Sequence, residues 1–189
     1  MVVFDSNILL LFLDNGAKPP KDPDTGAPVS ECKARLDYLV ADFKRNRGKV
    51  IIPTPVLSEV LVWADDAGPE YLEILTKSAH FEVVPFDIRA AVEVAHLTRQ
   101  AIDKGEANVP NVSRAKVKFD RQIIAIANVV GATTIYSDDE HIVKLAKPLG
   151  IAVIGIAQLP LPPLDLQGSL FEAEPDEAEP DEAEPDDRR

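Results

Sequence analysis

Apolar residues follow two alternating patterns along the chain: short continuous runs, and longer stretches in which they recur every three or four positions. The runs predict buried strands at residues 2–4, 49–52, 81–84, 133–136 and 151–154. The stretches predict amphipathic helices at about residues 8–13, 30–46, 54–64, 69–79, 87–104, 119–130 and 140–149. Strands that alternate with helices form parallel sheets covered on both faces. The pattern therefore predicts an α/β fold, a three-layer doubly wound parallel sheet of about five strands.

Two segments lack both patterns. Residues 16–28 contain four prolines and two glycines, which predicts a loop. Residues 172–186 are three copies of Glu-Ala-Glu-Pro-Asp, with no apolar side chain larger than alanine. Such a repeat cannot bury a core and is typical of a disordered acidic tail. Because prolines cluster at residues 160–163, we predict one domain at 1–163 and a disordered tail at 164–189.

The net charge of the chain is unevenly distributed. It is −12 overall, and residues 172–189 alone hold ten acidic residues and two arginines. The predicted domain is thus only mildly acidic, and its hydrophobic content, 46% over the whole chain, is ample for a core. Acidity argues against a protein that binds long nucleic acid through bulk charge. It leaves open an enzyme that uses clustered carboxylates.

Compartment is suggested by three features of the sequence. A single cysteine, Cys32, cannot form an internal disulfide and suits a reducing environment. The N-terminus has no basic segment typical of a signal peptide, and the longest apolar run, residues 8–13, is too short to span a bilayer. We therefore expect a cytoplasmic protein with no membrane partner.

Acidic residues directly follow two of the predicted strands. Asp5 comes after the first strand, and Asp138 and Asp139 come after the fourth. The carboxyl ends of parallel strands meet at one edge of a sheet, where ligands bind in such folds. The alternative is that these residues only cap helices: Asp5 could cap the next helix, and Ser137 could begin a capping box.

Two further acids lie on predicted helices. Asp120 shares one helix face with the apolar residues at 123, 124 and 127, and a carboxylate there is costly unless it is paired or bound to a cation. Its alternative role is that of an N-cap. Glu59 lies at the margin of an apolar stripe and could simply be solvated. Together the acids favour a site for a hard divalent cation, which relieves repulsion between close carboxylates.

Four segments, in this order and spacing, resemble the successive acidic motifs of PIN domains. This family comprises metal-dependent ribonucleases and includes the VapC-type toxins of bacterial toxin–antitoxin pairs. The resemblance spans roughly residues 2–163 and implies a parallel sheet with a pocket of acids that holds Mg²⁺ or Mn²⁺. The segments are Val-Phe-Asp5-Ser-Asn7, Ile-Pro-Thr-Pro-Val-Leu-Ser-Glu59-Val-Leu, Phe-Asp120-Arg-Gln-Ile-Ile-Ala-Ile-Ala and Ile-Tyr-Ser-Asp138-Asp139-Glu-His-Ile.

The resemblance assigns roles to these residues. It implies that the metal ligands and catalytic acids are Asp5, Glu59, Asp120 and either Asp138 or Asp139, with Asn7 and Ser137 as supporting polar residues. It implies RNA as the substrate and makes a protein antitoxin and a homodimer candidates as partners. The long segment at 16–30 and the acidic tail depart from the compact toxins, which weakens the assignment to that subgroup but not to the fold.

Basic residues form two clusters in the domain. The second cluster, at residues 114–121, flanks Asp120. It is predicted to contact RNA phosphates beside the metal, although it could also be a solvated helix face. The three histidines are scattered and give no zinc-binding spacing, and His141 is expected on a helix surface. The clusters are Lys44, Arg45, Arg47 and Lys49, and Arg114, Lys116, Lys118 and Arg121.

Other functions fit the residues less well. A haloacid-dehalogenase-type phosphatase requires a second aspartate where Asn7 stands. A response-regulator receiver requires a phosphoacceptor aspartate after a mid-chain strand and a late lysine. The alternative from a different functional class is not an enzyme: it is a catalytically inactive PIN-like module that binds RNA or protein. The complete set of acids argues against it, because such a module is expected to lose one or more of them.

Overall fold

The structure, a computed structural model, describes residues 1–107 and 112–163. It contains five strands in these ranges: β1 (Val2–Phe4), β2 (Val50–Pro53), β3 (Phe81–Val84), β4 (Thr134–Tyr136) and β5 (Ala152–Ile154). Each lies within one residue of its predicted bounds. The predicted disordered tail at 164–189 lies outside the described residues, as do residues 108–111 between the predicted helices at 87–104 and 119–130.

All five strands pair in parallel in one sheet with the order β3-β2-β1-β4-β5. The chain winds outward from β1 to β2 and β3, and then returns to the other side of β1 to form β4 and β5. Because connections between parallel strands are right-handed in nearly all proteins, this order predicts that the helices of the two halves cover opposite faces of the sheet. This is the predicted doubly wound fold, and its topological switch point lies between β1 and β4.

Seven α-helices connect the strands of the described chain: α1 (Ser6–Leu13), α2 (Cys32–Arg45), α3 (Thr54–Trp63), α4 (Gly68–Lys77), α5 (Ile88–Asp103), α6 (Arg114–Val129) and α7 (Glu140–Ala146). Short 3₁₀ turns follow α3, α7 and β5. Within residues 1–107 and 112–163, no helix is long and apolar enough to cross a bilayer.

Helix α6 differs most from its prediction, because it begins at Arg114 and not near residue 119. The Ser113 side chain caps it by accepting a hydrogen bond from the backbone N–H of Lys116 at 3.1 Å. The N-cap role considered for Asp120 is therefore wrong, since that residue lies in the second turn. At the other end, Gly131 has φ +67°, a backbone conformation that suits the residue after a helix.

The core lies on both sides of β1, β2 and β4. Phe4, Ile51 and Ile135 of these strands are fully buried, as are Ile123 and Ile124 of α6. Burying each such side chain stabilises the fold by about 1.5–3 kcal/mol relative to leaving it in water. Because α6 packs its apolar stripe on this core, the first turns of α6 are held beside the carboxyl ends of β1 and β4.

Candidate active site: an acidic cleft at the sheet edge

The ends of β1 and β4 bring Asp5 and Ser137 together. The backbone N–H of Asp5 donates to the carbonyl of Tyr136 at 3.1 Å, which extends the pairing of the strands by one residue. The Ser137 hydroxyl then donates to Asp5 Oδ2 at 2.7 Å. Asp5 also caps α1, since its Oδ1 accepts from the backbone N–H of Ser6 at 2.8 Å. Capping and a place in the site are therefore compatible.

Burial controls the ionisation of Asp5, which is only 5% exposed. Desolvation raises the pKa of its carboxyl group above the ordinary value. The hydrogen bonds from Ser137 and Ser6 oppose this effect, and the negative charges of Asp139 and Asp120 add to it. Asp5 is thus a carboxylate that a nearby positive charge would stabilise.

Asp120 faces the same place from α6 and is also 5% exposed. His141 Nδ1 lies 2.6 Å from its Oδ2, and Lys116 Nζ lies 3.5 Å from the same oxygen. The prediction that His141 lies on a helix surface is wrong, because the residue is 7% exposed. Its spacing to the half-buried Leu145, one helical turn later, is the sequence signal that could have placed it on the inner face of α7.

The consecutive residues Asp138 and Asp139 have different surroundings. Asp139 caps α7 by accepting from the backbone N–H of His141 at 2.7 Å, and its other oxygen accepts from Lys116 Nζ. Although burial acts to raise the pKa of Asp139, the Lys116 ammonium and the backbone bonds outweigh it and hold the pKa below the ordinary value. Asp139 therefore carries its charge inside the cleft.

Asp138 is held away from these groups. Its Oδ1 accepts from the backbone N–H of Ile156 at 2.9 Å, while its buried Oδ2 has no hydrogen-bond partner in the described residues. Desolvation raises the pKa of this carboxyl group. Gly155 permits the arrangement, because a Cβ atom at that position would lie 2.6 Å from Asp138 Oδ1.

These residues line a cleft of about 440 Å³, which we call the acidic cleft. Glu59 of α3 and Asn7 of α1 form its exposed rim, and Phe119 contributes an apolar wall. The cleft brings together four of the five predicted acids, and Asp138 is the one that does not line it. Its lining residues are Asp5, Ser6, Asn7, Ser58, Glu59, Val62, Ala115, Lys116, Phe119, Asp120 and Asp139.

The basic cluster predicted to contact RNA is divided between two faces of α6. Lys116 lines the acidic cleft, whereas Arg114, Lys118 and Arg121 line a separate groove between α5 and α6. Burial acts to lower the pKa of Lys116, but its bond to Asp139 and the charges of Asp120 and Asp5 outweigh this and raise it. Lys116 is therefore a charged counter-ion within the cleft, where it faces four acids.

The acids provide the right donor chemistry for a hard divalent ion, since carboxylate oxygens are the ligands that Mg²⁺ and Mn²⁺ prefer. Asp120 Oδ1 accepts no hydrogen bond from the described residues, so a ligand position remains on its cleft side. Within residues 1–107 and 112–163, however, no three His, Cys, Asp or Glu side chains are grouped tightly enough to enclose an ion as they stand. The residues fit such an ion chemically, and Lys116 supplies positive charge among them.

Comparison with protein-family models finds no match, and neither does comparison with curated protein sequences. Solved structures do match. VapBC2 from Rickettsia felis, bound to a DNA fragment from its promoter, superposes with a TM-score of 0.55 at 15% identity, over 82% of this chain and 98% of that one. FitAB bound to IR36 DNA gives 0.54 at 15% identity, over 85% and 98%.

A third match is Mycobacterium tuberculosis VapC20, described as a sarcin–ricin loop cleaving toxin. It gives a TM-score of 0.52 at 14% identity, over 85% of this chain and all of that one. Taken with the sheet order, these likenesses show that the chain has a PIN-domain fold of the VapC-like type. The family resemblance found in the sequence is thereby confirmed at the level of fold.

Proposed function

We propose that the protein is a metal-dependent endoribonuclease that hydrolyses RNA phosphodiester bonds in the acidic cleft. The observation that carries the proposal is the convergence of Asp5, Glu59, Asp120 and Asp139 on one cleft at the switch point of the sheet. These residues come from four different elements, so local capping alone does not explain why they meet. A cleft open to solvent on one side also suits a phosphodiester in a flexible strand.

Asp5, Asp120 and Asp139 would hold Mg²⁺ or Mn²⁺, with Glu59 at the rim. When bound, such an ion lowers the pKa of a coordinated water and offsets charge on the scissile phosphate. Ser137 orients Asp5 through its 2.7 Å hydrogen bond, and His141 orients Asp120 through its 2.6 Å contact. Such neighbours of a ligand fix its position, and their loss commonly lowers metal affinity or activity by about 10–100-fold.

His141 and Lys116 are the two polar neighbours of Asp120 in the cleft, at 2.6 Å and 3.5 Å from its Oδ2. Lys116 stays charged beside Asp139 and Asp120, where its ammonium group can contact a non-bridging phosphate oxygen of a bound strand. Asn7 and Ser58 add neutral polar groups at the rim.

The likeness to VapBC2, FitAB and VapC20 supports a narrower proposal, that the protein is the toxin of a toxin–antitoxin pair. Exposed apolar side chains on α3 and α5 support a protein partner, either an antitoxin or a second copy of the chain. Trp63 is 70% exposed, and Ile88 and Val92 are also exposed. Single exposed apolar residues are common, so these side chains support a partner only together with the likeness to the toxin–antitoxin complexes.

Cleavage of an RNA panel with and without Mg²⁺ or Mn²⁺ tests the proposed activity. We expect cleavage with either ion, its loss with a chelator, and its loss in Asp120→Asn. Asp138→Asn is the matched control, since it makes the same chemical change next to Asp139 but outside the cleft, and we expect it to cleave normally. Absence of cleavage under all conditions by a folded protein that still binds RNA would favour the inactive module.

A further inference from the structure

A second concave surface lies on the side of α6 opposite the acidic cleft. It is a groove of about 520 Å³ between α5 and α6, which we call the cationic groove. Its charged residues are Arg114, Lys118 and Arg121, and its apolar wall includes Val94 and Val117. Arg114 and Lys118 are exposed at its mouth. No acidic side chain lines the described part of the groove.

Arg121 lines the groove and carries a donor that is unpaired among the described residues. The residue is 7% exposed, and its Nε atom is buried with no hydrogen-bond partner in the described residues. A buried donor without an acceptor destabilises a protein, and an arginine is best satisfied by a carboxylate or a phosphate. In residues 1–107 and 112–163, no carboxylate lies within 4.0 Å of Arg114, Lys118 or Arg121. The groove therefore has the features of an anion-binding site.

The chain itself carries a suitable anion. Residues 172–187 contain ten carboxylates and no cation, and they alternate with the small apolar residues alanine and proline. Acids spaced two residues apart can meet the three cations of the groove, while alanine and proline can contact its valine-rich wall. The repeat therefore matches the groove in charge and in the size of its apolar residues.

The repeat can also reach the groove. Twenty-six residues follow Pro163, and an extended chain spans about 3.3 Å per residue, or about 85 Å in all. A domain of this size is only about 30–40 Å across. Because the repeat is attached to the domain, its effective concentration at the groove is of the order of millimolar. Even a weak charged contact would then be populated.

We propose that the acidic repeat at residues 172–187 docks intramolecularly in the cationic groove formed by Arg114, Lys118 and Arg121. The contact neutralises cations that would otherwise attract other polyanions to this face of the domain. It is independent of the chemistry in the acidic cleft. Since Arg114 and Lys118 at the groove mouth are exposed, the contact weakens as salt concentration rises.

A spin label in the repeat tests the proposal in the full-length chain. Cys32→Ser removes the native thiol, which is buried, and Ala178→Cys provides the labelling site. We expect the label to broaden the backbone amide NMR signals of the residues that line the groove on α5 and α6 at low salt. The broadening should fall by at least half at 0.5 M salt. It should also disappear when every acid in 172–187 is replaced by its amide.

Two double variants with the same charge change locate the contact. Arg114→Glu with Lys118→Glu should abolish the broadening, whereas Lys44→Glu with Arg47→Glu, in the other basic cluster, should preserve it. Arg121 is left in place because replacing a buried arginine could unfold the domain. Broadening spread over both clusters, or lost equally in both variants, would show that the tail is attracted only by general charge and would overturn the proposal.

Two further outcomes would also overturn it. A mixture of spin-labelled chain and separate ¹⁵N-labelled chain should show no broadening. Broadening in this mixture would mean that the tail of a second copy occupies the groove. A short single-stranded RNA could instead perturb the groove signals equally in the native and tail-neutralised chains, with no effect of the spin label. The groove would then be a path for RNA.

Discussion

The two faces of α6 differ in how their partly buried charges are paired. On the cleft side, Lys116 pairs with Asp139 and lies 3.5 Å from Asp120, while Ser137 donates a hydrogen bond to Asp5 and His141 Nδ1 lies 2.6 Å from Asp120. On the groove side, three cations have no carboxylate partner in the described chain, and one of them is almost fully buried. One face has a cation among its acids, and the other has no acid among its cations in the described residues.

This difference indicates how each face can respond to a ligand. A metal ion that enters the acidic cleft must compete with Lys116 for Asp139 and Asp120, so binding there is an exchange of one cation for another. When the acidic repeat enters the cationic groove, it displaces no carboxylate of the described residues, so its binding there is a simple gain of pairing. Variants that remove single charges can test both statements.

The largest expected effect is on catalysis. Asp5→Asn should reduce RNA cleavage by about 100-fold or more, the size of effect seen when one group that stabilises a reacting charge is lost. It should not lower the melting temperature measured without metal, because the variant also removes a desolvated carboxylate. Initial cleavage rates and thermal melts provide the measurements. The double variant Arg114→Glu with Lys118→Glu changes the other face and should not share this loss of cleavage. If it cleaved RNA as slowly as Asp5→Asn, the two faces would act as one site.

Asp139→Asn should impair cleavage and also reduce stability. Asparagine can still cap α7, but the ion pair with Lys116 is lost, which should cost about 1 kcal/mol or about 3 °C in melting temperature. Asp138→Asn is the adjacent control and should keep the cleavage rate. If Asp138→Asn abolished cleavage and Asp139→Asn did not, the assignment of Asp139 to the cleft would be wrong.

Lys116→Met should strengthen metal binding. Removing the ammonium group frees Asp139 and Asp120 from their internal partner, so the affinity for Mn²⁺ should rise by about fivefold, equivalent to one exposed ion pair of about 1 kcal/mol. Calorimetric titration of the two proteins with Mn²⁺ measures the change. Lys118→Met, two residues later on the other face, should leave the affinity unchanged. Weaker binding in Lys116→Met would mean that the lysine helps to hold the ion.

The smallest effect is on the pH dependence of stability. The pKa of Asp5 is raised in the folded state above its unfolded value of 3.8. At a pH between these two pKa values, the native state binds the Asp5 proton more strongly than the unfolded state does. The free energy of unfolding therefore falls as pH rises through this window. Asp5→Asn lacks this loss, and its advantage in melting temperature over the native chain should grow from pH 4 to pH 7. Melts with a chelator present measure it. A constant difference across this range would contradict the raised pKa.

The strands and the position of the candidate cleft were predictable because both depend on local patterns. Five apolar runs separated by helical stretches are sufficient for a parallel sheet, and residues that follow parallel strands must meet at one edge. Asp5 and Ser137 meet there for this reason. Asp120 was predicted from its place on an apolar helix face, which the structure confirms.

The sequence analysis did not predict that the basic cluster at 114–121 is divided between two faces of α6. The reason is that it did not identify Ser113 as the cap at which the helix begins. With α6 expected to begin near residue 119, the helix faces of the cations at 114, 116 and 118 cannot be assigned from the sequence. Since the helix begins at Arg114, Lys116 and Asp120 share one face by their i, i+4 spacing, whereas Arg114, Lys118 and Arg121 share the other. One capping residue therefore determined which charges could interact.

The choice between Asp138 and Asp139 was also beyond the sequence. Both follow β4 directly, and which carboxylate turns toward the cleft depends on the backbone bonds made after the strand. Ile156 N–H binds Asp138, and His141 N–H binds Asp139. The first of these partners lies 18 residues away, beyond the reach of a local pattern.

The close approach of Gly155 to Asp138 has a genetic consequence. Any side chain at position 155 would push against Asp138 Oδ1, and Asp138 is joined directly to a residue of the cleft. In a library that samples all amino acids at position 155 and is selected for soluble expression, glycine should be strongly enriched. Suppressors of Gly155→Ala should arise at residue 138, as substitutions to smaller side chains, so that two positions 17 residues apart would evolve as a pair.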